Sequence, residues 1–91
     1  MNYAAAFDHD PQAVLDYTLD WSTWLGDDTI ATATWSVPSG VTLASSSATT
    51  TTATAWISGG TVGEAYIATC HVTTVGGRQD DRSIRLNCRN R

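Results

Sequence analysis

The sequence predicts an all-β protein in which two antiparallel sheets of six or seven short strands pack face to face. Threonine is the commonest residue, with 15 copies among 91, and threonine, valine, isoleucine and aromatic residues favour pleated strands. Apolar and polar residues alternate with a period of two in several segments, which indicates strands with one buried face. Turn-forming residues separate these segments at roughly 8–12 residues, a spacing typical of sandwiches. A small closed barrel is the alternative.

Residues 13–25 form the first predicted strand, because every second residue from Leu15 to Trp21 is apolar and the residues between them are polar. A Gly-Asp-Asp turn ends this strand. Residues 29–37 form the second strand, with alanine and tryptophan on one face and threonine on the other, and a Pro-Ser-Gly turn follows.

Val41 and Leu43 indicate a short third strand. The Ser/Thr-rich residues 44–52 are typical of a mobile loop tip or a weak sheet edge. The remaining predicted strands span 53–58, 64–74 and 82–89. Two consecutive glycines between the last two strands permit a tight hairpin turn.

The N-terminal residues 1–12 are predicted to form an extended arm, separate from the sandwich domain over residues 13–91. Asp10 precedes Pro11, and the residue before a proline avoids helical geometry. Chain ends are flexible unless they are tied down. We therefore expect the arm to become ordered only against a neighbouring subunit, with Tyr3 and Phe7 as its apolar anchors.

Length and charge exclude several classes of protein. Ninety-one residues form one domain, which leaves no room for a large α/β enzyme. No apolar run is long enough for a transmembrane helix, and the N-terminus lacks the basic region of a secretory signal. Nine carboxylates outweigh five arginines, and there is no lysine. Binding to nucleic acid, which needs many phosphate contacts, is not expected.

The sequence contains no pattern of catalytic or metal-binding residues. The adjacent carboxylates at residues 27–28 and 80–81 would point to opposite faces of a strand, and no nucleophile elbow accompanies the two histidines. The Asp-His-Asp motif at residues 8–10 lies in the predicted arm, where nothing would hold it in a fixed geometry. We expect no enzyme activity, no cofactor and no metal.

The tryptophans and arginines are the candidate contact residues. Trp21 and Trp35 lie on apolar strand faces and should be buried. Trp24 and Trp56 lie on the opposite faces, where core burial, an interface contact and a sugar-stacking platform are the alternatives, and an interface is favoured over a sugar site. Arginine is preferred over lysine in paired contacts with carboxylates. Because the acids lie mostly in residues 1–64 and every arginine lies in residues 65–91, we expect Arg85 and Arg89 to contact carboxylates of a neighbouring subunit. The resulting interface set is Tyr3, Phe7, Trp24, Trp56, Arg85 and Arg89.

Four segments of the chain occur in the order and spacing of a known family: DPQAVLDYTLDWSTWLGDDTI, WSVPSGVT, WISGGTVGEAY and GGRQDDRSIRL. Over about residues 10–88 the chain resembles a family of small tailed-bacteriophage structural proteins with an immunoglobulin-like (Ig-like) fold. Members are described as fibre–tail adaptors or head–tail and neck-region proteins. The most specific parts of the resemblance are DYTLDWSTWL, WSVPSG and WISGG.

The resemblance implies a non-enzymatic virion protein with an Ig-like antiparallel β-sandwich. Several copies would surround the symmetric tail or neck and link a tail fibre to the tail tube or its adaptor. Assembly would take place in the host cytoplasm, where stable disulfides are rare, so Cys70 and Cys88 are expected to be buried free thiols; a disulfide between them is the alternative. Two other functions stay open, a capsid decoration protein and a carbohydrate-binding Ig-like module.

Overall fold

The computed structural model describes residues 5–89 and contains seven strands and one short helix in that range. Their bounds are β1 Ala5–His9, β2 Val14–Asp20, α1 Ser22–Leu25, β3 Ile30–Ser36, β4 Val41–Ala48, β5 Thr52–Gly59, β6 Ala65–Thr74 and β7 Gln79–Cys88. The prediction of an all-β protein is therefore confirmed.

The strands form two sheets that pack as a sandwich. One sheet has four strands in the order β1-β7-β6-β3, and the other has three in the order β2-β5-β4. All neighbouring pairs are antiparallel except β1 and β7, which run parallel. Parallel neighbours need a long connection, and here almost the entire chain lies between them.

The core forms where the inward faces of the two sheets meet, and it follows the period-two pattern of the sequence. In β2, Tyr17 and Leu19 are buried, while Thr18 between them and Asp16 and Asp20 beside them are exposed. In β6 and β7, alternate residues are buried in the same way, and Val72, Ile84 and Leu86 are fully buried. Most polar side chains of the strands thus lie on the outer faces of the sandwich, and His9 and Thr74 are buried exceptions.

The end of the first predicted strand is the helical turn α1 instead. The Asp20 carboxylate accepts a hydrogen bond from the Ser22 amide at 2.9 Å, and the Leu25 amide donates to the Trp21 carbonyl at 2.9 Å. This turn redirects the chain toward the other sheet and places Trp21 in the core, where it is fully buried. Alternation of side chains alone does not distinguish this turn from a continuing strand.

The Ser/Thr-rich segment contributes most of an edge strand. Strand β4 continues to Ala48 and pairs with β5 along its length, with a bulge between Leu43 and Ser45. The weak-edge alternative therefore describes residues 44–48, and residues 49–51 form the turn into β5. Small side chains suffice there because one side of β4 has no neighbouring strand in its sheet.

The N-terminal segment differs from the prediction of an arm. Residues 5–9 form strand β1, and the His9 side chain is fully buried. One His9 ring nitrogen contacts the Tyr17 hydroxyl at 2.6 Å and the other contacts the Gly59 carbonyl oxygen at 3.1 Å. A buried imidazole with both nitrogens hydrogen-bonded ties this strand to β2 and β5 of the three-stranded sheet. The predicted anchor Phe7 is partly buried against the core, whereas Tyr3 lies outside the described residues.

Removal of residues 2–9 is therefore expected to destabilise the folded protein. The deletion removes a sheet strand and exposes core surface that Phe7 and His9 cover, which should lower the free energy of unfolding by at least about 2 kcal/mol. Urea unfolding followed by tryptophan fluorescence measures this change. An unchanged midpoint would mean that β1 is not part of the stable fold.

Both cysteines are free and buried. Cys70 stands opposite Arg82 in the β6–β7 pair, so Cys88 lies six residues (88 − 82) further along β7. This register separates the two sulfur atoms along the hairpin, and the alternative of a disulfide is not realised. Burial raises the pKa of the Cys70 thiol to about 11 and also raises the pKa of Cys88.

Neither thiol of the native protein is expected to react readily with iodoacetamide at pH 8. A buried thiol with a raised pKa offers little thiolate to the reagent. Intact-mass measurement should show no adduct before denaturation and two adducts in urea. Rapid modification of the native chain would contradict the burial of these side chains.

Candidate protein-interaction surfaces

A site for a ligand or a partner requires a cluster of suitable side chains on the surface of the sandwich. Within residues 5–89, no three His, Cys, Asp or Glu side chains converge as they would to hold a metal ion. No helix in the same range has the length and hydrophobicity needed to cross a bilayer. The candidate functional features are therefore the exposed aromatic and charged side chains on the surface of the sandwich.

Trp24 lies in α1 at one end of the sandwich and is partly covered by Arg78. The Arg78 guanidinium carbon lies 4.4 Å from the centre of the Trp24 ring, close enough for a cation–π interaction. The same guanidinium donates to the Trp24 carbonyl at 3.2 Å and to the Leu25 carbonyl at 2.8 Å. The predicted interface residue Trp24 is thus engaged within its own chain.

Asp28 joins this cluster from the loop before β3. Its carboxylate accepts hydrogen bonds from Arg78 Nε at 3.2 Å, the Gly76 amide at 3.0 Å and the Thr29 amide at 2.9 Å. A hydrogen bond from the Thr74 hydroxyl is the main cause that lowers the pKa of Asp28 to about 2, and the other donors add to it. Asp28 thereby ties the β6–β7 hairpin to the β2–β3 connection.

Gly76 makes this approach sterically possible. A Cβ atom at position 76 would lie 2.8 Å from an Asp28 carboxylate oxygen, closer than a real side chain permits. The glycine predicted to serve the hairpin turn therefore also allows the carboxylate to reach the backbone.

Arg82 forms a second contact of the same kind. Its guanidinium carbon lies 4.1 Å from the centre of the Trp21 ring, and Nη1 donates to the Asp20 carbonyl at 3.2 Å. A backbone hydrogen bond from Ser22 is the main cause that lowers the pKa of Asp20, and the nearby Arg82 charge contributes less. The buried indole of Trp21 is thus covered on its outer side by an arginine.

Trp56 is the exposed tryptophan of the predicted interface set. It lies on the outer face of the three-stranded sheet with 40% of its surface exposed. Asp16 of β2 stands directly opposite it on one side, and Ser45 of β4 on the other. Val14, also on this face, is 55% exposed. We call Val14, Asp16 and Trp56 the Trp56 patch.

Arg85 and Arg89 lie on the outer side of the four-stranded sheet. Arg85 Nε donates to the Asn87 side-chain oxygen at 2.9 Å, and Arg85 forms no ion pair among residues 5–89. Arg89 pairs with Asp8 of the same chain at 3.3 Å. The structure therefore provides an intramolecular partner for Arg89 that the sequence did not indicate.

Two open grooves flank these surfaces. One, of about 360 Å³, lies where β1 meets β2 and is lined by Phe7, Asp8, Leu15, Asp16, Tyr17 and Thr18. The other, of about 470 Å³, runs beside the end of β7 and includes Arg85 and Arg89 in its lining. Aspartates mark the first groove and arginines mark the second.

Sequence reasoning did not identify Arg78 and Arg82 as partners of tryptophan. More than 50 residues separate each arginine from its ring, and only the fold brings them together. The two aspartates beside these rings, Asp20 and Asp28, also appear in the sequence as ordinary strand and turn residues. No local sequence pattern predicts these arginine–tryptophan contacts.

The two packed β-sheets define an Ig-like β-sandwich domain. One solved structure of similar fold is described as the solution structure of the PKD domain from KIAA 1837 protein. The match has a TM-score of 0.59 and 20% sequence identity, and covers 98% of this chain and 84% of that one. At this identity the similarity concerns the fold alone.

The family described as podophage GP4 fiber-tail adaptor protein gp77 matches residues 9–87. The chain belongs to this family of phage structural adaptors, and the resemblance seen in the sequence is confirmed. Comparison with curated proteins gave no match.

Substitution Asp28→Asn should destabilise the protein in a pH-dependent way. The carboxylate has a pKa of 3.8 in its ordinary state and about 2 in the fold. The contribution of the ionised carboxylate to the free energy of unfolding is therefore complete above about pH 4 and is lost as the pH falls toward 2. Urea unfolding at neutral pH and near pH 2 should show a difference between wild type and variant that shrinks in acid.

Asp27→Asn is the matched control, because Asp27 is exposed and forms no hydrogen bond or ion pair among the described residues. Its unfolding midpoint should match that of wild type at neutral pH. An equal loss in both variants would show that the network around Asp28 has no special role.

Proposed function

We propose that this protein joins a tail fibre to the tail of a podophage virion through protein–protein contacts alone, without a chemical step. Membership of the fibre–tail adaptor family carries the proposal. The protein would be assembled into the virion in the host cytoplasm, in several copies around the tail tube or its adaptor. Neither nucleic acid nor a membrane takes part.

The geometry of the sandwich supports a linking role. An adaptor must hold two partners at once and therefore needs separate binding surfaces. The outer face of the three-stranded sheet presents the Trp56 patch, and the outer face of the four-stranded sheet presents Arg85. These faces point in opposite directions, because the sheets pack on each other through their inner faces.

The proposed contact residues are the predicted interface set. Trp56 and Arg85 are the most available among the described members, since both are exposed and neither has an ion-pair or stacking partner in residues 5–89. Trp24 and Arg89 have partners within the chain, so they would contribute through their remaining exposed surface. Phe7 would contribute at the groove between β1 and β2.

Deletion of the gene for this chain from the phage genome tests the proposed function. Particles made without the chain should contain filled heads and tails but lack fibres, and expression of the chain from a plasmid should restore the fibres. Negative-stain electron microscopy and quantitative mass spectrometry of purified virions measure fibre occupancy and copy number.

The alternatives give different results in the same experiment. A capsid decoration protein would be present in hundreds of copies, and its loss would weaken heads while fibres remain attached. Loss of a carbohydrate-binding module would leave heads, tails and fibres in place and would reduce adsorption to host cells. Either result would contradict the adaptor role.

A further inference from the structure

A recurring arrangement of three side chains appears twice within the chain. Arg78 stacks on Trp24 at 4.4 Å and donates to the Asp28 carboxylate at 3.2 Å. Arg82 stacks on Trp21 at 4.1 Å and donates to the Asp20 backbone carbonyl at 3.2 Å, and its charge also acts on the Asp20 carboxylate. In both places an arginine covers the face of an indole that has an aspartate beside it.

A third tryptophan–aspartate pair lacks its arginine. Trp56 and Asp16 stand opposite each other in the β2–β5 pair, and side chains in such positions share one face of the sheet within contact distance. Both are exposed, and Asp16 forms no ion pair or hydrogen bond with another described side chain. The Trp56 ring and the Asp16 carboxylate are therefore both accessible on one face. Trp24 and Asp28 would present the same pair of groups if Arg78 were absent.

Within residues 5–89, Arg85 is an exposed arginine that forms no ion pair. Of the four arginines in residues 5–89, Arg78, Arg82 and Arg89 each lie next to a carboxylate. Arg85 is exposed and donates only to the neutral Asn87 side chain. Its planar guanidinium suits simultaneous stacking on a ring and pairing with a carboxylate.

We propose that Arg85 of one copy of this chain binds the Trp56–Asp16 pair of a second copy. The occupant is a second copy because the same chain carries both halves of the arrangement and their charges are complementary. Arg85 cannot reach the pair in its own chain, because the two lie on the outer faces of different sheets. This proposal extends the proposed function by naming the contact between neighbouring adaptors.

The contact is head to tail, since each copy uses its four-stranded sheet toward one neighbour and its three-stranded sheet toward the other. Contacts of this kind close into rings when the rotation between neighbours permits, and otherwise they continue as filaments. A ring of copies matches the several copies around a symmetric tail. Val14 beside the pair adds apolar surface to the same contact.

Self-association of the purified chain tests the proposal. Sedimentation equilibrium at low salt should show a mass that rises with concentration above the 9.7 kDa of one chain. The variants W56A, D16R and R85D should each lower the association constant about tenfold or more, through loss of the ring or reversal of a paired charge. Added salt should weaken the wild-type association.

Two controls and one mixture make the result specific. D27R changes the net charge as D16R does, at an exposed aspartate in the β2–β3 loop, and V75A truncates an apolar side chain that is 72% exposed at the β6–β7 turn. Both should associate like wild type. An equimolar mixture of D16R and R85D should form heterodimers, because Arg85 of the first variant finds Asp16 of the second. Far-ultraviolet circular dichroism verifies that every variant is folded.

A wild-type chain that stays monomeric would overturn the proposal, as would equal losses in D16R and D27R or a mixture that does not associate. Unimpaired association of W56A would also overturn it and would assign the exposed ring to another occupant, such as a glycan or a basic segment of a fibre protein. None of these outcomes bears on fibre attachment, which is measured separately on virions.

Discussion

A 91-residue chain can bury only a small core, because a domain of this size has a high ratio of surface to volume. The rest of the structure depends on how the chain meets this constraint. Nearly every strand gives one side of its alternating pattern to the interface between the sheets, and residues such as Ile57, Ile84 and Leu86 are fully buried there. Among residues 5–89, Val14, Trp56, Val62 and Val75 are the large apolar side chains that stay exposed, and Trp56 is the aromatic one.

The ends of this thin sandwich are strengthened by polar side chains. Asp28 and Arg78 connect a hairpin to the loop beside α1. Asp28 accepts a hydrogen bond from the Gly76 amide, and Arg78 donates one to the Leu25 carbonyl. His9 performs a similar role in the core, where its two ring nitrogens link β1 to Tyr17 and to the Gly59 carbonyl. Burying a polar group without a hydrogen bond costs free energy, so these two bonds stabilise His9 in the core.

The surface that remains is suited to assembly. Family membership makes the chain a phage structural adaptor, and such a protein acts by holding partners in a defined orientation. The two outer faces of the sandwich differ in charge, because one carries Asp16 and the other carries Arg85. A partner that binds one face would therefore not bind the other in the same way. The arginine–tryptophan stacking found twice inside the chain is the contact chemistry that we propose between neighbouring copies.

The sequence by itself determined the fold class and the inward face of most strands, because a period of two is a local property that needs no knowledge of neighbours. It also led to the family, through segments whose spacing is visible in one dimension. Four features of the protein were decided by the tertiary structure. Residues 5–9 join a sheet beside β7, and Ser22–Leu25 form a helical turn. The β6–β7 register separates Cys70 from Cys88, and Arg78 and Arg82 stack on tryptophans. Each of these joins residues distant in the chain, or depends on a hydrogen bond that competes with strand continuation, and such choices are made by packing rather than by local pattern.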